Sequence, residues 1–468
     1  MLPSTPSRDD THRLAPADGD IVITDPRTGD PVGTVSPADQ RQVAAAVERA
    51  KAAAPSWART APAQRGALLH RIAAVLRDHE TELARLNERE TGKPLDQALG
   101  GIAAGVATFV QYAELGPLHT GRALRGPATA ADYTVAEPRG VVAVITPWND
   151  PVAVAAGLIG AAVVTGNTVV FKPSERCPHL GRRLGELIAQ ALPQDVVVTV
   201  DGDADTGATL VAHPDVAMVA HVGSTAAGER IARAAALTGA HVVRENGGND
   251  ALLVDAGVDP EWAAGQAALG AFANTGQICT SVERIFVHQD LADAFLVALV
   301  REAEARTGSL SFGPLVDDAL RDLVHEQVRE ALDDGAEALI GGVVPDGPGS
   351  WYPATVLVGC RPSMTIMREE TFGPIAPVQI VRDFDEALEL AAHDRYGLAA
   401  TVLSKDLDHI QRAVATLEVG TVKVNAVFGG APGGSAEPRR ASGSGFGYGP
   451  GLLDEMTLTK VVHIEAAP

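Results

Sequence analysis

Only three cysteines, Cys177, Cys279 and Cys360, occur in 468 residues. An odd number at scattered positions does not make a disulfide framework, and no C-x-x-C or Cys/His spacing suggests zinc. The thirteen histidines form no ligand cluster in the sequence, so no metal is expected. Positive charge is scarce too: 38 Lys and Arg stand against 59 Asp and Glu, a formal net charge of −21. That balance argues against nucleic acid or an anionic membrane as partner, since both need a basic surface. It leaves room for a phosphate-bearing cofactor, which backbone N–H groups hold without net positive charge. The longest apolar stretches, such as residues 151–166, are rich in Ala and Gly and shorter than a membrane span needs. Residues 1–20 are polar and lack an apolar signal core, which predicts a disordered leader on a cytoplasmic protein.

The chain is too long for one ordinary core, so two or three domains are expected. Residues 21–35 read as two short strands around an Asp-Pro…Thr-Gly turn. From Asp39 to Glu90 the pattern is helical, with a second amphipathic helix that ends at Gly92 before Pro94. Then strands alternate with helices: 141–145, the strand in "NTVVFKPSE" (167–175), "DVVVTVDGD", and 216–224. Val-rich runs at this pitch predict a parallel sheet covered on both faces. A second α/β alternation starts near Asp250. The glycine-rich "GSGFGYGPG" (443–451) lacks a strand-to-helix context and reads as a loop.

Three sheet-to-helix junctions carry polar or glycine residues. In "TPWNDP" (146–151), Asn149 ends a strand, where its amide either donates into the ligand crevice or caps the next helix. In "VVFKPSE", Lys172 and Glu175 emerge at one sheet edge, placed for ribose hydroxyls and a phosphate or for salt bridges to nearby helices. In "VGSTAAGER", Gly223, Ser224 and Gly228 form a turn that lets backbone approach a pyrophosphate. "RENGGND" (244–250) sets Glu245 beside two glycines, 34 residues before Cys279 in "NTGQICTS". Free cysteine usually packs as a small hydrophobe, so for Cys279 taken alone packing is the favoured reading.

Taken together, these segments resemble the aldehyde dehydrogenase superfamily from about Ile21 to the C-terminus. The matching motifs run in order: "DPRTGD", "ETGKP", "EPRGVVAVITPWNDP", "GNTVVFKPSE", "VGSTAAG", "ENGGN", "ANTGQICTS", "EETFGP" and "GTVKVN". The resemblance implies an α/β fold in three parts. A Rossmann-like NAD-binding domain would span 21–118 and 140–246, and an α/β catalytic domain 247–448. A small β oligomerisation arm at 119–139 and 449–468 would make a homodimer or homotetramer.

It also implies chemistry. Cys279 would attack an aldehyde, Asn149 would hold the oxyanion, and Glu245 would activate the water that hydrolyses the thioester. Lys172 and Glu175 would bind the adenosine ribose of NAD, with Glu175 disfavouring NADP. Gly223 and Ser224 would meet the pyrophosphate, and Glu370 and Phe372 the nicotinamide end. The same resemblance admits a CoA-acylating semialdehyde dehydrogenase, or an inactive dinucleotide-binding paralogue. Asp150, Val154, Ile278 and Thr280 are expected to line the aldehyde pocket; Asp150 stands where an aromatic residue is frequent, and either favours a cationic or hydroxylated substrate or caps the helix, capping having the edge. Val154 and Gly157 are smaller than the family's usual residues. Two further departures are Asn246, where a leucine is usual, and a distorted C-terminal pattern, "VFGGAPGGSAEPRRASGSG". There Arg439 or Arg440 could meet a substrate carboxylate, a lead towards a semialdehyde acid.

Overall fold

The computed structural model describes residues 19–430 and 434–467. The expected leader therefore lies outside the described residues except for its last two. The strand Val141–Ile145 is buried along its whole length, as a run of β-branched residues between two helical layers should be. It is the centre of a six-stranded sheet. Thr168–Lys172 and Val197–Thr199 lie in parallel on one side, Val216–Val222 and His241–Glu245 in parallel on the other. The chain thus reverses its strand order beside Val141–Ile145. The segments leaving this switch point are 146–150 and Gly223–Ser224, the place where open α/β sheets bind ligands.

A second sheet has seven strands in the order Glu337–Ile340, Thr355–Val358, Ile375–Val381, Val282–His288, Asp250–Val254, Ala399–Leu403 and Thr421–Val424. All neighbours are parallel except the first pair. Apolar cores fill both faces of each sheet. A third sheet pairs Thr457–Ile464 with Ala131–Pro138 over eight residues and adds Ala123–Leu124.

Three expectations need correction. The predicted second helix is two, Pro62–Asp78 and Glu80–Thr91, broken at His79, whose ring Nδ1 lies 2.8 Å from the Val75 carbonyl. The second of these ends as expected at Gly92, in the left-handed conformation glycine tolerates. Next, the helix Leu95–Leu115, with its short extension to Leu118, is long and apolar enough to cross a membrane, unlike residues 151–166. Its apolar face is used inside the protein: Ile102, Val106, Phe109 and Tyr112 are buried in the core shared with Pro62–Asp78 and Pro151–Val164. Finally, 443–451 is a loop only at 445–448. Gly443–Ser444 pairs antiparallel with Glu245 and Arg244 as an edge strand, and Gly449 opens the helix Gly449–Glu455.

Candidate active site

Cys279 sits on a turn between the helix Pro260–Phe272 and the strand Val282–His288. Asn274 (φ 48°), Thr275 (φ 56°) and Gly276 (φ 74°) are all left-handed. For the two non-glycine residues this costs about 1–2 kcal/mol each. A dense set of hydrogen bonds offsets that strain. Thr275 Oγ1 donates to the Gly313 carbonyl at 2.9 Å, and Gln277 Nε2 to the carbonyls of Asn274 (3.0 Å) and Pro314 (3.3 Å). Gln277 Oε1 accepts from Val316 N–H at 2.9 Å, and Ser281 Oγ donates to the Gly276 carbonyl at 3.0 Å. A Cβ on Gly276 would lie 2.0 Å from the Gly373 carbonyl oxygen, so this turn is locked against the "EETFGP" segment. Over-determined strain of this kind is characteristic of working sites.

Asn149 approaches the same turn from the first sheet. Its Nδ2 donates to the Gln277 carbonyl at 3.1 Å, which Asn274 Nδ2 also reaches at 3.0 Å. From the other side Lys93 Nζ donates to the Asn149 carbonyl at 3.0 Å and to Asp150 Oδ1 at 3.3 Å. The capping readings of Asn149 and Asp150 both fail. Asp150 occupies the cap position before Pro151, but its side chain makes no capping hydrogen bond and is turned to Lys93 instead.

Cys279 is part-buried and faces two cavities. One, of about 640 Å³, is bordered by Asn149, Asp150, Ser224, Asn246, Glu370 and Phe372. The other, of about 310 Å³, is bordered by Glu245, Thr280 and Lys423. A third, of about 320 Å³, reaches Glu245 from the side of Val154 and Gly157. Burial pushes the Cys279 thiol up to about 12, reinforced by Glu245, Asp250 and Glu370 and opposed by Lys423. Burial also raises the Glu245 carboxyl to about 7, where it stands ready to exchange a proton near neutrality. Its Oε1 packs on Gly447, where a Cβ would come within 2.1 Å. Glu370 is likewise raised to about 7 by burial, and its Oε1 accepts from Gly248 N–H at 3.0 Å.

The remaining candidates cluster at the switch point. Lys172 Nζ is buried and donates to the carbonyls of Pro173 (2.8 Å) and Gly202 (2.7 Å), with the half-exposed Glu175 carboxylate 3.7 Å away. Ser224 caps the helix Thr225–Thr238, its Oγ accepting from Ala227 N–H at 3.3 Å. Gly223 leaves no room for a side chain, because a Cβ there would meet the His221 ring at 2.7 Å. Two buried oxygens beside this turn, Thr225 Oγ1 and Asn246 Oδ1, have no hydrogen-bond partner among the described residues. Phe372, left-handed at φ 54°, packs edge-on against Trp148 with ring centroids 5.6 Å apart.

The model of the aldehyde dehydrogenase family matches residues 14–462. The chain belongs to that family. It is 34% identical to a betaine aldehyde dehydrogenase of Rhizobium etli (strain CIAT 652), over 97% of this chain and 95% of the relative. Among solved structures it is similar to a 3,6-anhydro-L-galactose dehydrogenase in complex with NAP (34% identity, TM-score 0.92, 95% and 96% coverage). It is also similar to an NAD-dependent aldehyde dehydrogenase from Sinorhizobium meliloti (32% identity, TM-score 0.92, 96% and 92% coverage). The protein is therefore an NAD(P)-dependent aldehyde dehydrogenase of α/β fold, oxidising a small aldehyde to the acid.

The dehydrogenase's own residues fit the cofactor. The capped helix terminus at Ser224, the side-chain-free Gly223 and the unpartnered Thr225 Oγ1 and Asn246 Oδ1 form a polar cradle for a dinucleotide. Val154 and Ile278 line the 640 Å³ cavity with Asp150, and Thr280 lines the smaller one. Arg439 and Arg440 do not join them. Arg440 is held by Glu418 and by the carbonyls of Ala392 and Asp394, and Arg439 is exposed; neither borders a cavity that contains Cys279. The lead towards a semialdehyde acid loses its residues. Part of the altered mouth, 431–433, lies outside the described residues.

Sequence reading missed four charged groups. Lys93 and Lys423 stood unnoticed inside "ETGKP" and "GTVKVN". Glu283 is buried and accepts the N–H groups of Thr371 and Phe372, both at 3.1 Å, which sets the loop carrying Glu370. Asp250 accepts from Ala399 N–H at 3.0 Å and adds to the negative field around Cys279. Among the described residues no group of His, Cys, Asp and Glu could hold a metal ion.

Proposed function

We propose that Cys279 is the nucleophile of a hydrolytic aldehyde dehydrogenase, with Asn149 as oxyanion donor and Glu245 as general base. The observation that carries this reading is the meeting of all three around one thiol from separate parts of the chain. Sγ attacks the aldehyde carbon, a C–S bond forms, and the thiol proton leaves to solvent. The developing oxyanion takes hydrogen bonds from Asn149 Nδ2, released from Gln277, and from the Cys279 backbone N–H. NAD, when bound, would supply the hydride acceptor that oxidation to the thioester level requires. Glu245 then takes a proton from water, the hydroxide adds to the thioester, the C–S bond breaks, and the acid leaves.

Lys172 and Glu175 would hold the adenosine ribose, Gly223 and Ser224 the pyrophosphate, and Glu370 and Phe372 the nicotinamide end. The exposed Glu175 carboxylate repels a 2′-phosphate, which favours NAD over NADP. Residues 21–118 with 140–246 form the cofactor domain and 247–448 the catalytic domain. The ribbon of 119–139 and 449–468 joins subunits of a homodimer or homotetramer. It exposes Leu124, Tyr133, Leu458, Val461 and Ile464, apolar surface that a second copy would cover. A cytoplasmic location accords with three free cysteines.

Cys279→Ala is expected to abolish NADH formation with every aldehyde, and turnover retained in that variant sinks the assignment. Product analysis with and without coenzyme A separates hydrolysis from acyl transfer: the acid should form at full rate without it.

A further inference from the structure

The 640 Å³ cavity has two chemically different walls. Towards the switch point it carries aromatic rings, Trp148 and Phe372. The other wall, from the helices Leu95–Leu115 and Pro151–Val164, carries Gln97, Gly100, Gly101, Ala104 and Val154, with one ion pair among them. That pair is Asp150 and Lys93. The Lys93 side chain is only 9% exposed, while Asp150 is 39% exposed. Room for the pair depends on Gly101: a Cβ there would lie 2.5 Å from Asp150 Oδ1 and 3.8 Å from Lys93 Nζ.

We propose that the Asp150–Lys93 pair selects neutral aldehydes that carry a hydroxyl group, an inference that rests on Cys279 being the nucleophile. The hydrogen-bond inventory leads there. An ammonium has three donors, and Lys93 uses two, on the Asn149 carbonyl and Asp150 Oδ1. Asp150 Oδ2 takes no hydrogen bond among the described residues. One N–H and one carboxylate oxygen are thus open side by side, a donor and an acceptor, as a hydroxyl requires.

Charge excludes the alternatives. Lys93 neutralises Asp150, so a cationic aldehyde finds no net negative charge at the pair. Nor does it find an aromatic cage, since Trp148 is already covered by the Arg176 guanidinium at 5.3 Å and edged by Phe372. Along the walls of this cavity an anionic aldehyde finds no free cation among the described residues, because Arg176 is paired with Asp317 at 2.8 Å and Lys93 with Asp150, while Lys423 borders only the smaller cavity. A plain alkyl aldehyde would strip water from both open groups and return nothing.

The test compares kcat/KM for propanal, 2-hydroxypropanal, 2,3-dihydroxypropanal, trimethylammonioacetaldehyde and 4-oxobutanoate. The wild type is expected to favour the better hydroxylated aldehyde at least tenfold over propanal and over both charged aldehydes. In Asp150→Ala that preference should shrink to within threefold, chiefly through KM, while Asp150→Asn, which keeps an acceptor, should retain part of it. A wild-type ratio near one, a tenfold preference for a charged aldehyde, or a preference undiminished in Asp150→Ala each overturns the proposal. The wild-type comparison decides even where a variant fails to fold. Folded wild-type protein that makes no NADH from any aldehyde would instead refute the nucleophile assignment, so the two failures are distinguishable.

Discussion

Replacing Glu245 by glutamine removes the proposed base while keeping its shape. General-base assistance is worth roughly 10²–10⁴-fold, so thioester hydrolysis should slow by that factor and the acyl-enzyme should accumulate. In stopped-flow absorbance, Glu245→Gln should release close to one NADH per Cys279 and then turn over at a crawl. The pH dependence follows from the burial that holds Glu245 near 7. The base must be ionised, so activity rises with pH. Two units below its pKa only about 1% is ionised, which predicts that wild-type kcat falls about 100-fold from its plateau by pH 5. Below pH 7 that slope should vanish in Glu245→Gln, where no carboxylate titrates at this position. A wild-type kcat flat from pH 5 to 8 refutes the reasoning. So does a glutamine variant that keeps the wild-type steady state and shows no burst.

Other substitutions probe the frame around the thiol. Asn149→Ala removes the proposed oxyanion donor and should cost roughly 2.7–4 kcal/mol of barrier, about 10²–10³ in kcat, with little change in thermal midpoint. Gly276→Ala adds strain at φ 74° and drives a methyl group into the Gly373 carbonyl; a loss of about 2–5 kcal/mol is expected in denaturant unfolding. Asn246→Leu leaves the Ala441 carbonyl without its Nδ2 donor and should cost about 1–3 kcal/mol of stability. Steady-state kcat in that variant should fall more than the NADH burst rate, because the segment it loosens holds Glu245.

Much of the fold was legible because its signal is local. The buried strand at 141–145, the alternation that follows it and the left-handed stop at Gly92 are written in consecutive residues. What stayed hidden depends on partners far along the chain. Gly443–Ser444 is a strand only because Arg244–Glu245 offers an open edge about two hundred residues earlier. The site divides the same way. Cys279, Glu245 and Asn149 stood in recognisable motifs, whereas Lys93 acquires its role only by reaching Asn149 and Asp150 across the fold. Asp150 shows why local rules mislead there. An acid before a Pro-headed helix is an ordinary cap by sequence, but a buried ammonium 3.3 Å away competes for it and wins.

The two departures around the base, Asn246 and the distorted C-terminal pattern, are physically one feature. Asn246 donates through its backbone N–H to the Ser442 carbonyl at 2.9 Å and through Nδ2 to the Ala441 carbonyl at 2.8 Å. Ser442 Oγ returns a hydrogen bond to the Gly247 carbonyl at 2.8 Å, and Gly443 pairs with Glu245 itself. A leucine at 246 could make the backbone bond but not the side-chain one. The amide therefore belongs with a C-terminal segment whose carbonyls come up beside the base. Arg440 takes part from behind: left-handed at φ 55° and tied to Glu418, it turns the chain into this approach. Its charge serves the backbone path and not a substrate. The same segment delivers Gly447 against the Glu245 carboxylate, where any side chain would displace it. The position of the proposed base is thus set from the C-terminal end of the chain, and the residues that look aberrant in the motifs are those that set it.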